Sequence, residues 1–155
     1  MHKELKGSLE GKGLRIGVVV SRFNQSVTEQ LLVGALEALG GHGVRAEDIE
    51  VVHVPGAFEV PFAARRLAAG GGFDALVCLG AVIRGETPHF EYIAAEVTRG
   101  IGRVVEDHRL PIAFGVLTTD TVEQALARAG EGYGNKGYEA AVTAIEMARL
   151  GRLLG

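Results

Sequence analysis

The sequence predicts an α/β domain in which helices cover both faces of a parallel sheet, and three observations lead there. Four short apolar runs rich in Val, Ile, Leu and Ala recur along the chain. Three of them are nearly continuous rather than alternating, the pattern of strands buried on both sides. Helical patterns separate them, and strand–helix alternation repeated four times reads as parallel strands joined by crossover helices. With 155 residues the chain has room for one such domain and not for two.

Residues 1–13 show no period and read as an N-terminal arm, leaving 14–155 as the single domain. The first strand is Arg15–Val20, followed by a helix over Val27–Leu39 with apolar residues at 27, 31, 32, 35, 36 and 39. Ser26 and Glu29 have the spacing of a capping box at its start. The second strand is Ile49–Val54; the helix after it, Val60–Ala69, carries Pro61 in its first turn and stops at Gly70-Gly71-Gly72. The third strand is Ala75–Gly80, and the helix after it runs from about Pro88 to His108. The fourth strand is Ile112–Leu117, and a helix follows near Asp120-Thr121, where Asp120 and Glu123 offer another capping pair. Glycines at 130, 132 and 134 break that helix, and a last one carries Ala141, Ala144, Ile145 and Ala148. The chain's 23 glycines fall mainly between these segments, as tight connections require.

Composition narrows the function. A net charge of −3 lacks the basic stripe of a nucleic-acid-binding module. No apolar run approaches the roughly 20 residues needed to span a bilayer, and Met1-His2-Lys3-Glu4-Leu5 lacks the apolar segment of a signal peptide. Cys78 is the single cysteine, so neither an internal disulfide nor a cysteine-cluster metal site can form. The expectation is a cytoplasmic protein without nucleic-acid or membrane partners.

In parallel sheets ligands bind at the carboxyl ends of the strands. The unusual residues of this chain follow its strands: Ser21-Arg22-Phe23-Asn24, Pro55-Gly56-Ala57-Phe58-Glu59, Ala81 through Phe90, and Thr118-Thr119-Asp120-Thr121. Gly85-Glu86-Thr87-Pro88 precedes a long helix whose first N–H groups are free and partially positive, so it is either an anion site or a plain helix cap. Glu86 would repel a phosphate if it pointed inward. His89, in the first turn, is placed to exchange protons near neutral pH or is simply solvated. Phe23 and Phe58 either stack on a planar heterocycle or cap the core, and Glu59 either favours the helix dipole or accepts from a polyol. The stretch Gly130 to Gly137 fails as a P-loop, because Asn135 precedes Lys136, Gly137 follows it, and no strand comes before. No dinucleotide fingerprint follows the first strand, no aspartates end the first and third strands as in a phosphoacceptor domain, and no spacing suggests a metal.

Taken together these loops resemble those of the 6,7-dimethyl-8-ribityllumazine synthase family. The resemblance runs from Gly13-Leu14-Arg15 to Glu146-Met147-Ala148 and rests on five motifs in order. They are Ser21-Arg22-Phe23-Asn24, Val54 through Glu59, Ile83 through Phe90, Phe114 through Thr118, and Gly134-Asn135-Lys136-Gly137. It implies a flavodoxin-like sandwich and a condensation of 5-amino-6-(D-ribitylamino)uracil with 3,4-dihydroxy-2-butanone 4-phosphate, without metal or redox cofactor. Phe23 and Asn24 would then meet the pyrimidine, Ala57, Phe58 and Glu59 would hold the ring and ribityl chain, and Ala81, Val82 and Ile83 would line the ring pocket. Gly85, Glu86 and Thr87 would bind the ketone phosphate, largely through backbone N–H groups, and His89 would transfer protons. Phe114, Arg128 and Lys136 would come from the adjacent chain of a pentamer. The short Gly130–Gly137 link favours closure into an icosahedral shell of twelve pentamers, able to enclose riboflavin synthase, with the arm pairing with a neighbour's sheet.

Overall fold

A computed structural model describes residues 1–130 and 134–155. Its centre is a four-stranded, wholly parallel sheet in the order β2-β1-β3-β4, with β1 Ile16–Ser21, β2 Ile49–Val54, β3 Ala75–Ile83 and β4 Ile112–Thr119. The helices are α1 Gln25–Gly41, α2 Val60–Gly70, α3 His89–His108, α4 Val122–Ala127 and α5 Lys136–Leu154. The α/β architecture read from the apolar runs is the observed one.

Side chains of a strand alternate between faces, so each strand feeds two cores. Ile16, Val18 and Val20 of β1, with Val77 and Leu79 of β3, pack against Leu31, Ala35 and Leu39 of α1 and Ala141, Ala144 and Ile145 of α5. On the other face Val19 and Cys78 meet Val60 and Ala64 of α2 and Val97 and Ile101 of α3. The near-continuous apolar runs follow from this double coverage. Cys78 is wholly buried, and burial pushes its thiol up to about 12, which keeps it unreactive. Helices α1 and α5 approach so closely at Gly137 that a Cβ there would overlap the carbonyl of Leu31, and only glycine fits.

The strand order places the functional crevice. The chain leaves β1 towards β2 on one side and leaves β3 towards β4 on the other, so the loops after β1 and β3 diverge and open a gap between them.

Several boundaries differ from expectation, each for a long-range reason. Strand β3 continues through Gly80 to Ile83, because β4 extends beside it and pairs Ala81 with Leu117 and Ile83 with Thr119. Ala81, Val82 and Ile83 are therefore strand residues rather than loop residues. Helix α1 starts earlier, with Asn24 as its N-cap residue at φ 64, while Glu29 accepts from Gln25 instead of joining a box with Ser26. Helix α4 is capped by Thr121, which accepts from the Gln124 N–H, while Gln124 Oε1 accepts from the Asp120 N–H. The capping pair is thus Thr121 and Gln124, not Asp120 and Glu123. Residues 131–133 of the expected glycine break lie outside the described residues.

The arm forms no strand. Its second half runs along its own domain: Gly7 is buried against the backbone of α5, and Arg149 donates to the carbonyls of Glu10 and Lys12, both at 2.6 Å. The first six residues are exposed. No described helix is long and apolar enough to cross a membrane.

Candidate active site

A cleft of about 340 Å³ opens where the strand order predicts it, at the carboxyl ends of β1, β2 and β3. The turns that wall it are stitched to one another. Beyond the end of β1 the ladder continues, with Arg22 and Phe23 N–H groups donating to Val54 and Pro55 carbonyls at 2.8 and 2.9 Å. Asn24 then turns into the left-handed region, which asparagine tolerates better than most side chains. Its Nδ2 donates to the Ala81 carbonyl at 2.9 Å and ties the first turn to β3. Its own carbonyl accepts from Val27 and Thr28, starting α1. Phe23 is left 70% exposed and lines the cleft, so it caps no core.

Ala57, Phe58 and Glu59 form a 3-10 turn between β2 and α2 and supply a second wall. The Glu59 carboxylate folds back towards Gly56, where a Cβ would come within 3.1 Å of Oε1, and no described side chain bonds it. Ala81, Val82 and Ile83 form the apolar floor.

Gly85, Thr87 and His89 line the third side, at the start of α3. The helix begins at His89 with Pro88 as N-cap and no side-chain cap, so the hydroxyl of Thr87 is not consumed in capping. Its contact with the His89 N–H is long, at 3.5 Å. Among the described residues no acceptor takes the amides of Glu86, Thr87 or Phe90. Free amides at the head of a 20-residue helix make an anion-binding surface.

The cleft thus gathers Phe23, Asn24, Ala57, Phe58, Glu59, Ala81, Val82, Ile83, Gly85, Thr87 and His89. Glu86 is exposed and does not line it, so its side chain does not face an anion held there. Gly56, Phe90 and Ile93 also line it. Ile93 sits one turn beyond His89 on the helix face that meets the sheet, where the apolar period alone could have flagged it.

Phe114, Arg128 and Lys136 are elsewhere. They converge on a second groove of about 390 Å³ along the unpaired edge of β4, and this groove shares no lining residue with the first. A bridge between Ala129 and Asn135 closes the connection from α4 to α5, and the Lys136 N–H donates to the Arg128 carbonyl at 2.8 Å. The two residues are therefore joined at the backbone where they line the groove. Their other ties are local, Lys136 to Glu139 at 3.3 Å and Arg128 to the Gln124 carbonyl at 3.0 Å.

Asn135 fastens this corner. It is 2% exposed, its Oδ1 caps α5 by accepting from the Tyr138 N–H, and its Nδ2 donates to the Gln30 and Ala129 carbonyls. Losing a cap costs about 1 kcal/mol, and an unsatisfied buried carbonyl costs about 1–3 kcal/mol. Asn135→Ala is therefore expected to lower the thermal midpoint by several degrees, and Asn135→Asp, which keeps the cap but sets a buried carboxylate oxygen against the Gln30 and Ala129 carbonyls, by at least as much. Equal melting of Asn135→Ala and wild type would remove this role.

An apolar cleft with a carboxylate on one wall and free helix amides on another suits a planar, polyol-bearing ligand beside an anion. The model of the 6,7-dimethyl-8-ribityllumazine synthase family matches residues 13–152, a span that includes every strand and every cleft residue. With the parallel sheet, the strand-end cleft and a match over nearly its full length, the chain belongs to the 6,7-dimethyl-8-ribityllumazine synthase family.

Proposed function

We propose that the protein condenses 5-amino-6-(D-ribitylamino)uracil with 3,4-dihydroxy-2-butanone 4-phosphate to 6,7-dimethyl-8-ribityllumazine, releasing phosphate and water. The observation that carries the reading is the division of the cleft into an apolar slot beneath Phe23 and a set of free amides at the head of α3. The slot fits a pyrimidine ring stacked on Phe23, with Glu59 accepting from the ribityl hydroxyls. The amides fit a phosphate, next to the hydroxyl of Thr87.

In the proposed sequence the ring amine attacks the ketone carbon and water leaves, forming an imine. Loss of a proton from the neighbouring carbon expels phosphate, and the second amine closes the ring with loss of further water. His89, beside Gly85 and Thr87, removes and returns the protons at the carbon chain. Held at the helix head, the phosphate departs from a site that already stabilises its charge.

Phe114, Arg128 and Lys136 act in this reading from a neighbouring subunit. The separation of the two grooves, and the open edge of β4 that borders the second, support a site shared across an interface. A pentamer, closed or not into a shell, brings one groove against the other.

The test is direct. Purified protein mixed with the two substrates is expected to generate the lumazine chromophore. Well-assembled protein that yields none would overturn the proposal and leave a flavin-binding or shell-forming role. Conversion of the lumazine to riboflavin instead would point to a related riboflavin synthase sharing the fold.

A further inference from the structure

The loop that would receive phosphate is surrounded by acids. Glu86 lies in it, Glu91 stands in the first turn of α3, and Asp120 follows directly on β4. Among the described residues no lysine or arginine lines the cleft. One guanidinium gathers two of these carboxylates: Arg84 Nε donates to Asp120 Oδ1 at 2.8 Å, and Nη1 donates to Glu91 Oε1 at 3.2 Å. The same group lies 4.6 Å from the ring centre of Phe90, whose ring borders the cleft. The Arg84 N–H is bonded to the Thr119 carbonyl, so the backbone beneath the clamp is held as well.

We propose that Arg84 is a positioning residue for the phosphate-bearing substrate: it neutralises Asp120 and Glu91 and fixes the head of α3, so that the anion meets backbone amides rather than carboxylates. This rests on the lumazine synthase reading of the cleft.

Stability does not account for the clamp. Its members are 44%, 64% and 65% exposed, and pairs this exposed contribute little to stability. Their effect on a nearby anion is a different matter. Charges within the first turn of a helix lie inside the ~8–10 Å screening length, and phosphate carries close to two negative charges at neutral pH. The two carboxylates, Asp120 foremost, also raise the proton affinity of the guanidinium, in keeping with a mutual pairing.

The experiment first measures lumazine formation by the wild-type protein; failure there overturns the functional reading and not the clamp. With activity in hand, Arg84→Met is expected to raise KM for the ketone phosphate about tenfold while leaving KM for the pyrimidine unchanged. The deficit is expected to shrink as salt rises. Adding Glu91→Gln and Asp120→Asn to Arg84→Met is expected to restore the ketone KM to within about threefold of wild type, because the charges needing neutralisation are gone. An unchanged KM in Arg84→Met, or a triple variant as impaired as the single one, would overturn the proposal; the latter would mean that the guanidinium touches phosphate itself or only supports the fold. Should Arg84→Met fail to fold, Glu91→Gln with Asp120→Asn in the presence of Arg84 decides. Its ketone KM is expected at or below wild type, and a raised value rejects the clamp.

Discussion

His89→Ala is expected to slow turnover by about 10²–10⁴-fold, the usual contribution of a positioned proton-transfer group, with assembly and thermal midpoint unchanged. The structure separates these two outcomes. His89 is the first residue of α3, it is exposed, and its imidazole makes no hydrogen bond with the described residues, so nothing in the fold depends on it. Its neighbours in the cleft are Gly85 and Thr87, at the free amides proposed for phosphate. Removing the imidazole leaves those amides and the Phe23 slot intact, and both substrates should bind with nearly the wild-type KM. Single-turnover absorbance of the lumazine product, alongside a sizing run, checks both halves. Full activity in an intact assembly would remove the assigned role; lost assembly would show the residue to be structural.

The fold and most of the cleft were legible because strand and helix periods are local and the strand-end rule is topological. Phe23, Ala57 and His89 could each be placed on the proper edge of the sheet from the order of runs alone. What escaped depends on partners far away in sequence. Gly80 looks like a strand terminator, yet it lies within β3, where a Cβ would crowd the Ser21 hydroxyl of the adjacent strand. Asn24 is a helix cap by position, but its side chain is spent on the Ala81 carbonyl, 57 residues away. In the sequence Asn135 reads as a residue that spoils a P-loop and as part of the Gly134–Gly137 motif; its bond to the Gln30 carbonyl spans 105 residues. Arg84 lies inside the Ile83–Phe90 motif but has no role legible there, because its meaning lies in Asp120 and Glu91, which come together only in three dimensions.

A second large effect should appear when two crippled chains are combined. His89 lies in the strand-end cleft and Arg128 in the groove along β4, with no residue common to the two. Arg128→Ala removes a cation that the shared-site reading brings to a neighbour's phosphate, so activity below the ketone KM should fall steeply, chiefly through KM. Expressed alone, His89→Ala and Arg128→Ala are each expected to be nearly inactive under those conditions. Co-expressed in equal amounts and assembled at random, about one quarter of the clefts would hold an intact His89 facing an intact Arg128 of the next chain. Activity should therefore return to roughly that fraction of wild type, well above either parent. A site contained within one chain predicts no recovery, because every cleft would then carry one lesion or the other. The comparison needs no structure of the assembly, since the arithmetic of mixing reports which subunit supplies which group. Recovery would make the unpaired edge of β4 part of the catalytic apparatus, and its absence would return Arg128 and Lys136 to the surface of a single subunit.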